Sequence, residues 1–280
     1  MNIVAIGDKV PTGNYQFHSR FTRVVNYQNE DVIISFVEDD QGLSGRALRV
    51  TELPRGKTPV QVSPSHVFVD GACLPCSGAK RYDSSFGGLL APHLPPLVDL
   101  MKAVLCQRGP ALSLAVLHDP GREAAFSSAF ERALLDRFRA ATAAMRAGAV
   151  LEAVGLFKGV GFGLTPSGDD FITGLLYVFS AAPESEHLAP LRRDILKTAG
   201  GCAALSFQFI KDAAAGIYPR DVKALFTAVG RGDEPQTRRC LIELVAHGHT
   251  SGADTVAGMI AGLEWWLFSR GAVFAPRTRG

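Results

Sequence analysis

Residues 158–174 read KGVGFGLTPSGDDFITG, a glycine-rich loop that runs into an apolar segment with helical spacing. Three alternate glycines open the loop: Gly159, Gly161 and Gly163. Thr165 then suits an N-cap and Pro166 the first helical position, so residues 167–170 are expected to form the first turn of a helix. The pattern predicts a helix N-terminus whose free N–H groups, beside glycines that leave the backbone open, bind an anionic group.

A second segment, HGHTSGADTVAG at residues 247–258, repeats part of this pattern. Both segments read Ser-Gly-x-Asp-x-x-x-Gly, and the repeat places Asp170 and Asp254 in equivalent positions. We therefore expect two helix N-termini that face one site with pseudo-twofold symmetry. Taken alone, the second segment fits an ordinary helix cap, whereas the two adjacent acids and the glycines of the first exceed what a cap needs.

The two segments supply the candidate site residues. The catalytic candidates are the carboxylates Asp169, Asp170 and Asp254. The substrate-binding candidates are the glycines, the hydroxyl residues and one imidazole: Gly161, Gly163, Thr165, Ser167, Gly168, His249, Thr250, Ser251 and Gly252. Because neighbouring acids repel an anion, a compensating Mg²⁺ held by these carboxylates is an open alternative, although the motifs define no complete metal-ligand set.

Three further groups beside the loops are candidate bases or counter-charges: His247, His249 and Lys158. A histidine in such a position titrates near neutral pH, but most single histidines in proteins have structural roles. Lys158 equally fits a cation at the C-terminal end of a helix. No Ser-His-Asp triad follows from the spacing, because a triad is defined by geometry.

The first ninety residues change pattern and turn often. Short apolar runs bounded by glycine, proline and polar turns predict strands at residues 23–27, 32–37, 46–50 and 67–69. They indicate a small β domain over residues 1–91, of barrel or sandwich type. The prolines in residues 91–96 remove backbone donors, and this predicts a domain boundary there.

From residue 97 the apolar spacing becomes helical. Helices are predicted at residues 97–108, 122–147, 149–157, 169–180, 188–199, 202–215, 221–229, 234–247 and 252–270. They form a mostly α-helical domain over residues 97–272, which carries both Ser-Gly-x-Asp motifs. The predicted fold class is therefore α+β, a β domain followed by a helical one.

Composition excludes several classes of protein. The chain has 280 residues, 47% of them apolar, and a net charge of +2 without like-charge blocks, which argues against disorder and against nucleic acid as a partner. No apolar run is long enough to span a membrane, and no export signal opens the chain, so we expect a cytoplasmic protein.

The Cys73–Cys76 pair lies where residues 67–75 suggest a strand that runs into a turn, and we interpret it as structural.

The strings at residues 161–171 and 247–254 resemble those of the AllH-like family, formerly a domain of unknown function. The resemblance implies a subunit of the oxamate carbamoyltransferase of anaerobic allantoin degradation, a step of purine catabolism, with two partner subunits. It further implies transfer of a carbamoyl group between carbamoyl phosphate and oxamate or a related amide. Hydroxyls and carboxylates of Thr165, Ser167 and Asp169 would orient the amide, and a partner would supply cationic charge for the phosphate.

Two alternatives of other classes stay open. A stand-alone metal-dependent hydrolase or transferase would turn over without partners, and a chelator would stop it. A non-catalytic scaffold subunit would use its glycine-rich helices only to dock partners, and it would bind no small molecule.

Overall fold

The computed structural model describes residues 1–30, 32–89, 94–183 and 185–274. Within these ranges the N-terminal part forms nine strands. They are β1 (Ile3–Gly7), β2 (Gly13–Arg20), β3 (Val24–Gln28), β4 (Ile33–Val37), β5 (Ala47–Val50), β6 (Val60–Val62), β7 (His66–Val69), β8 (Ala72–Pro75) and β9 (Lys80–Tyr82). The four predicted strands are confirmed as β3, β4, β5 and β7, and the other five were not predicted.

The nine strands form one curled sheet with the order β8-β7-β6-β2-β3-β4-β5-β1-β9. The pairs β4–β5 and β1–β9 are parallel, and the other pairs are antiparallel. The prediction of a small N-terminal β domain is confirmed by this sheet.

Aromatic residues fill the interior of the sheet. Tyr15, Tyr27 and Phe36 are fully buried, and the Tyr27 ring contacts the Phe36 ring edge-on at 5.5 Å. A polar ladder crosses the central strands, because the Asn26 amide donates to Ser19 and accepts from the Ser35 hydroxyl. Buried polar groups that find partners in this way add little cost to the core.

The Cys-x-x-Cys segment belongs to a hairpin. The prediction of one strand ending in a turn is wrong here, since β7 turns at Asp70 and Gly71 and returns as β8. Asp70 and Gly71 both have positive φ angles, which is typical of a two-residue hairpin turn. Cys73 and Cys76 are both free thiols, and Cys73 is exposed on β8.

The chain after the sheet is mostly helical, which confirms the predicted fold class. Its α-helices are α1 (Leu94–Arg108), α2 (Ala129–Arg146), α3 (Val150–Phe157), α4 (Ser167–Ala181), α5 (Ala189–Thr198), α6 (Ala204–Ala214), α7 (Arg220–Gly230), α8 (Glu234–Val245) and α9 (Ser251–Phe274). Short 3₁₀ helices cover Leu114–Leu117, Pro120–Ala125 and Ser185–Leu188. None of the helices in the described ranges has the length and apolarity required to cross a membrane.

Two predicted helix limits are wrong. The expected helix at residues 122–147 is a 3₁₀ turn followed by α2, which begins at a capping box in which Ser128 and Glu131 bind each other's backbone amides. Helix α1 begins at Leu94 rather than at Leu97, because Pro95 and Pro96 occupy a first turn that requires no amide donors.

The chain divides into two compact units, Met1–Phe86 with Ile217–Lys223, and Gly87–Gly216 with Ala224–Gly280. Segment 217–223 is bonded to the sheet unit, since Tyr218 N–H donates to the Ser84 carbonyl and Arg220 N–H to the Leu43 carbonyl. The predicted limits of 1–91 and 97–272 stay a prediction, and the boundary residues Ala91–His93 lie outside the described residues.

Helices α4 and α9 form the centre of the helical unit. A Cβ on Gly174 would lie 1.9 Å from the Thr255 carbonyl oxygen, and one on Gly258 would lie 2.0 Å from that of Phe171. Because these two contacts are equivalent in the repeated motif, the helices cross with pseudo-twofold symmetry. The two helices run in the same direction. Thr165, which lies just before α4, contacts Ser251, the first residue of α9, so the two helix starts lie side by side.

We expect Gly258→Ala and Gly174→Ala each to destabilise the protein by about 3 kcal/mol, because the new methyl group would overlap a backbone oxygen that cannot move alone. Urea unfolding measures the loss. Gly230→Ala is the matched control, because Gly230 ends α7 and a Cβ there would have open space. Equal stability of the control and the crossing variants would contradict the assigned helix contact.

Candidate functional site

The two motifs meet where α4 and α9 begin. Thr165 Oγ1 lies 3.1 Å from Ser251 Oγ, so a hydrogen bond between hydroxyls joins the two helix starts. The prediction that Thr165 is the N-cap of α4 is wrong. Pro166 holds that position, and no side chain caps the helix. The structure thus brings the first turns of both motifs together.

The helix-start glycines use their amides within the protein. Gly168 N–H donates to the Val160 carbonyl at 2.8 Å, and Gly252 N–H donates to the His247 carbonyl at 3.0 Å. A side chain at either glycine would strike the carbonyl of the preceding helix, Phe157 or Leu244. Each glycine therefore lets its motif pack against the helix before it, and its amide is not open to a ligand.

Asp169 and Asp254 each fix a neighbouring segment. Asp169 Oδ1 accepts from Gly159 N–H at 2.7 Å and from the Cys202 thiol at 3.1 Å. Asp254 Oδ1 accepts from Leu114 N–H at 2.6 Å. Sequence reasoning missed Cys202 and Leu114, since a thiol and a backbone amide far along the chain give no signal in the motif.

The three carboxyl groups are buried, with exposed fractions of 1% for Asp169, 6% for Asp170 and 0% for Asp254. Among the described residues, the Oδ2 atom of each is buried without a hydrogen-bond partner. Burial without full hydrogen bonding disfavours the charged form of a carboxyl group.

Burial raises the pKa values of Asp170 and Asp254. Desolvation, followed by the charge of Asp254, raises the pKa of Asp170 well above its usual value. Desolvation also raises the pKa of Asp254 to about 6, while the bond from Leu114 and the nearby hydroxyls of Ser167 and Thr250 act in the opposite direction. Burial therefore favours the protonated form of both Asp170 and Asp254, and the two groups titrate as a coupled pair.

The loop before α4 is exposed. Phe162 keeps 51% of its surface and Leu164 42%, and Phe162 contacts Phe130 edge-on. Gly161 has a φ of +135°, and its Cβ would lie 2.4 Å from the Ser167 amide, so this glycine lets the loop lie on the helix start. A Cβ on Gly163 would face open space.

The structure places the candidate cations as follows. His249 is exposed, and its charge lowers the pKa of Asp254, so it lies near the cluster. His247 is half-buried, and its carbonyl accepts the Gly252 amide. Lys158 Nζ donates to the carbonyls of Thr198 and Gly200, which makes it a cap at the end of α5.

The segment that contains both motifs is similar to a known protein family. Residues 157–263 match the family model described as oxamate carbamoyltransferase subunit AllH. The AllH match begins at the end of α3 and finishes within α9, so it includes both motifs, and it confirms the predicted resemblance to the AllH-like family. Searches of curated proteins and of solved structures found no match to the chain.

In the part of the chain that the structure describes, no group of three or more His, Cys, Asp or Glu side chains is arranged to hold a metal ion. The Mg²⁺ alternative stays a prediction, because Mg²⁺ is usually held by one or two carboxylates together with waters.

We expect Asp254 to make stability depend on pH. Because its pKa is about 6 in the folded protein and 3.8 in the reference state, the folded protein binds the proton more tightly. The contribution of Asp254 is complete below about pH 4 and is lost as pH rises through 6, by about 3 kcal/mol in total.

Urea unfolding at intervals from pH 4 to 7 measures this dependence. In Asp254→Asn, the fall in unfolding free energy over that range should be smaller than in the unaltered chain by roughly that amount. Asp136→Asn removes an exposed carboxylate on α2 and serves as the control for charge alone. Parallel pH profiles for the chain and Asp254→Asn would contradict the assignment.

Proposed function

We propose that the chain is a subunit of a cytoplasmic carbamoyltransferase complex, and that it binds a small anionic carbonyl compound where α4 and α9 begin. The observation that carries the proposal is the AllH match over residues 157–263, which spans both motifs and all three buried carboxyl groups. The reaction we assign is transfer between carbamoyl phosphate and oxamate or a related amide, in anaerobic allantoin breakdown.

In such a transfer the acceptor nitrogen attacks the carbamoyl carbon, the bond from that carbon to the phosphate oxygen breaks, and the nitrogen gives up a proton. The protein must orient two small planar groups and stabilise the departing phosphate. We assign the orienting role to the hydroxyls of Thr165 and Ser251 and to the carboxyls of Asp170 and Asp254. These groups stand together at the helix starts.

The phosphate requires positive charge from elsewhere. Lys158 is engaged by the carbonyls of Thr198 and Gly200, and Arg137 Nε donates to the Leu156 carbonyl. Because these two cations already have partners and the cluster itself is acidic, we assign phosphate stabilisation to one of two partner subunits, with His249 as a further candidate cation of this chain. The description of the family as a subunit supports this assignment.

Removal of either bridging hydroxyl should impair the complex. We expect Ser251→Ala and Thr165→Val each to lower kcat for carbamoyl transfer to oxamate by about tenfold or more, because the donors that orient the reacting groups act in the transition state. The measurement is phosphate release from carbamoyl phosphate that depends on oxamate, by the complex purified with a tag on this chain.

Thr142→Val is the matched control, because the Thr142 hydroxyl bonds only to the Phe138 carbonyl of its own helix α2 among the contacts described. The control should keep the activity of the unaltered complex. A complex without carbamoyl transfer to any amide acceptor would contradict the proposed function. Turnover by this chain alone that a chelator stops would instead establish the metal-dependent alternative.

A further inference from the structure

The loop that leads into α4 exposes two large apolar side chains. Phe162 keeps 51% of its surface and Leu164 42%, in a stretch, residues 159–165, that has no charged side chain. The Phe162 ring packs edge-on against the Phe130 ring at 5.4 Å, and Phe130 is itself 57% exposed. We call these three side chains, Phe130, Phe162 and Leu164, the loop patch.

Glycines determine the conformation of this loop. Gly159, Gly161 and Gly163 all have positive φ angles. A Cβ on Gly159 or on Gly163 would have open space, so the backbone conformation rather than crowding requires glycine at these two positions. The alternate glycines therefore set the turns between which Phe162 and Leu164 are displayed.

Hydrogen bonds hold the loop at both ends. Val160 N–H donates to the Phe157 carbonyl at 3.0 Å, and Gly168 N–H donates to the Val160 carbonyl at 2.8 Å. The Ser206 hydroxyl donates to the Leu164 carbonyl at 3.0 Å. A loop fixed in this way presents its side chains to a partner with a smaller loss of conformational entropy than a free loop would pay.

The composition of the loop favours another protein as its partner. Interface cores are enriched in aromatic residues and depleted in charged ones, as this loop is. A nucleic acid or an anionic lipid surface attracts lysine and arginine, and residues 159–165 contain neither. The adjacent Lys158 donates to the carbonyls of Thr198 and Gly200 within the protein.

The position of the loop relates it to assembly. The large apolar side chains that are exposed among the described residues are Phe21, Phe68, Phe130, Leu151, Phe162, Leu164 and Phe268. Of this set, Phe162 and Leu164 are the two that lie within residues 157–263, the segment that matches the carbamoyltransferase subunit model. A subunit requires a surface for its partners, and this loop supplies exposed apolar surface in the matched segment.

We propose that the loop patch is a docking surface for a partner subunit of the carbamoyltransferase complex, which receives Phe162 and Leu164 in an apolar pocket. This inference rests on the proposed function and makes it more specific, because it names the surface that the partner contacts. The loop ends at Thr165, whose hydroxyl bonds to Ser251 at the start of α9. A partner docked on the patch therefore lies beside the two helix starts.

The test measures the affinity of the full chain for the other subunits of its complex. The tagged chain is immobilised, and the remaining subunits, purified without it, are titrated over it. Phe162→Ser and Leu164→Ser should each raise Kd by about tenfold or more, because an anchor side chain of the interface loses its apolar contacts. Phe162→Leu, which stays apolar, should lose less.

Phe268→Ser is the matched control, because Phe268 is 73% exposed on α9 but lies outside the matched segment. It should bind the partner subunits as the unaltered chain does, and urea unfolding verifies that each variant is folded. If Phe162→Ser and Leu164→Ser bind like the unaltered chain, or if the control loses as much affinity as they do, the inference is wrong.

A second copy of this chain is the competing occupant of the patch, and sedimentation of the chain alone distinguishes the two. Self-association that Phe162→Ser abolishes would assign the patch to a second copy and overturn the inference. A sedimentation coefficient that Phe162→Ser leaves unchanged agrees with docking of a partner subunit.

The inference and the proposed function fail separately. If the complex transfers carbamoyl groups but Phe162→Ser and Leu164→Ser leave the affinity for the partner subunits unchanged, only the inference is wrong. If the affinity depends on the loop patch but the complex transfers no carbamoyl group, the proposed function is wrong and the docking surface stands.

Discussion

The contact between two helix backbones at Gly174 and Gly258 is the constraint on which the helical unit depends. With no side chains between them, α4 and α9 approach until the carbonyls of Thr255 and Phe171 lie against the glycine Cα atoms. This close approach determines the geometry of the helix starts, because it brings the Thr165 and Ser251 hydroxyls within hydrogen-bonding distance. It also brings the carboxyls of Asp170 and Asp254 into one buried region, where the charge of Asp254 raises the pKa of Asp170.

The same crossing sets an electrostatic balance. Two parallel helices present two positive dipole ends at one place, and such ends favour negative charge. In this protein the acids of the motifs themselves fill that position, and the helix-start amides of Gly168 and Gly252 bond to the preceding segments. The dipoles therefore offset part of the cost of burying these carboxyl groups.

The sequence predicted the features that depend on a recognisable pattern of residue types. Strands β3, β4, β5 and β7 are apolar runs between turns, and the repeat of Ser-Gly-x-Asp placed both helix starts in one site. Strand β2 was not predicted, because it alternates with polar residues and buries only Tyr15 and Ser19. Strands β8 and β9 are short edge strands with mostly exposed residues. The bonds from Leu114 and Cys202 to the cluster could not be predicted, because nearly every residue carries a backbone N–H donor and the thiol lies in a segment without a motif.

Segment 217–223 completes the sheet unit from far along the chain. Tyr82 donates its hydroxyl to the Tyr218 carbonyl, and Lys223 reaches the Asp83 carbonyl, so residues at the end of the sheet depend on a segment beyond α6. During synthesis on the ribosome, the first unit therefore waits for most of the chain to be made before its last contacts form. Its strands emerge early, but its folding cannot finish before residue 223 has left the exit tunnel.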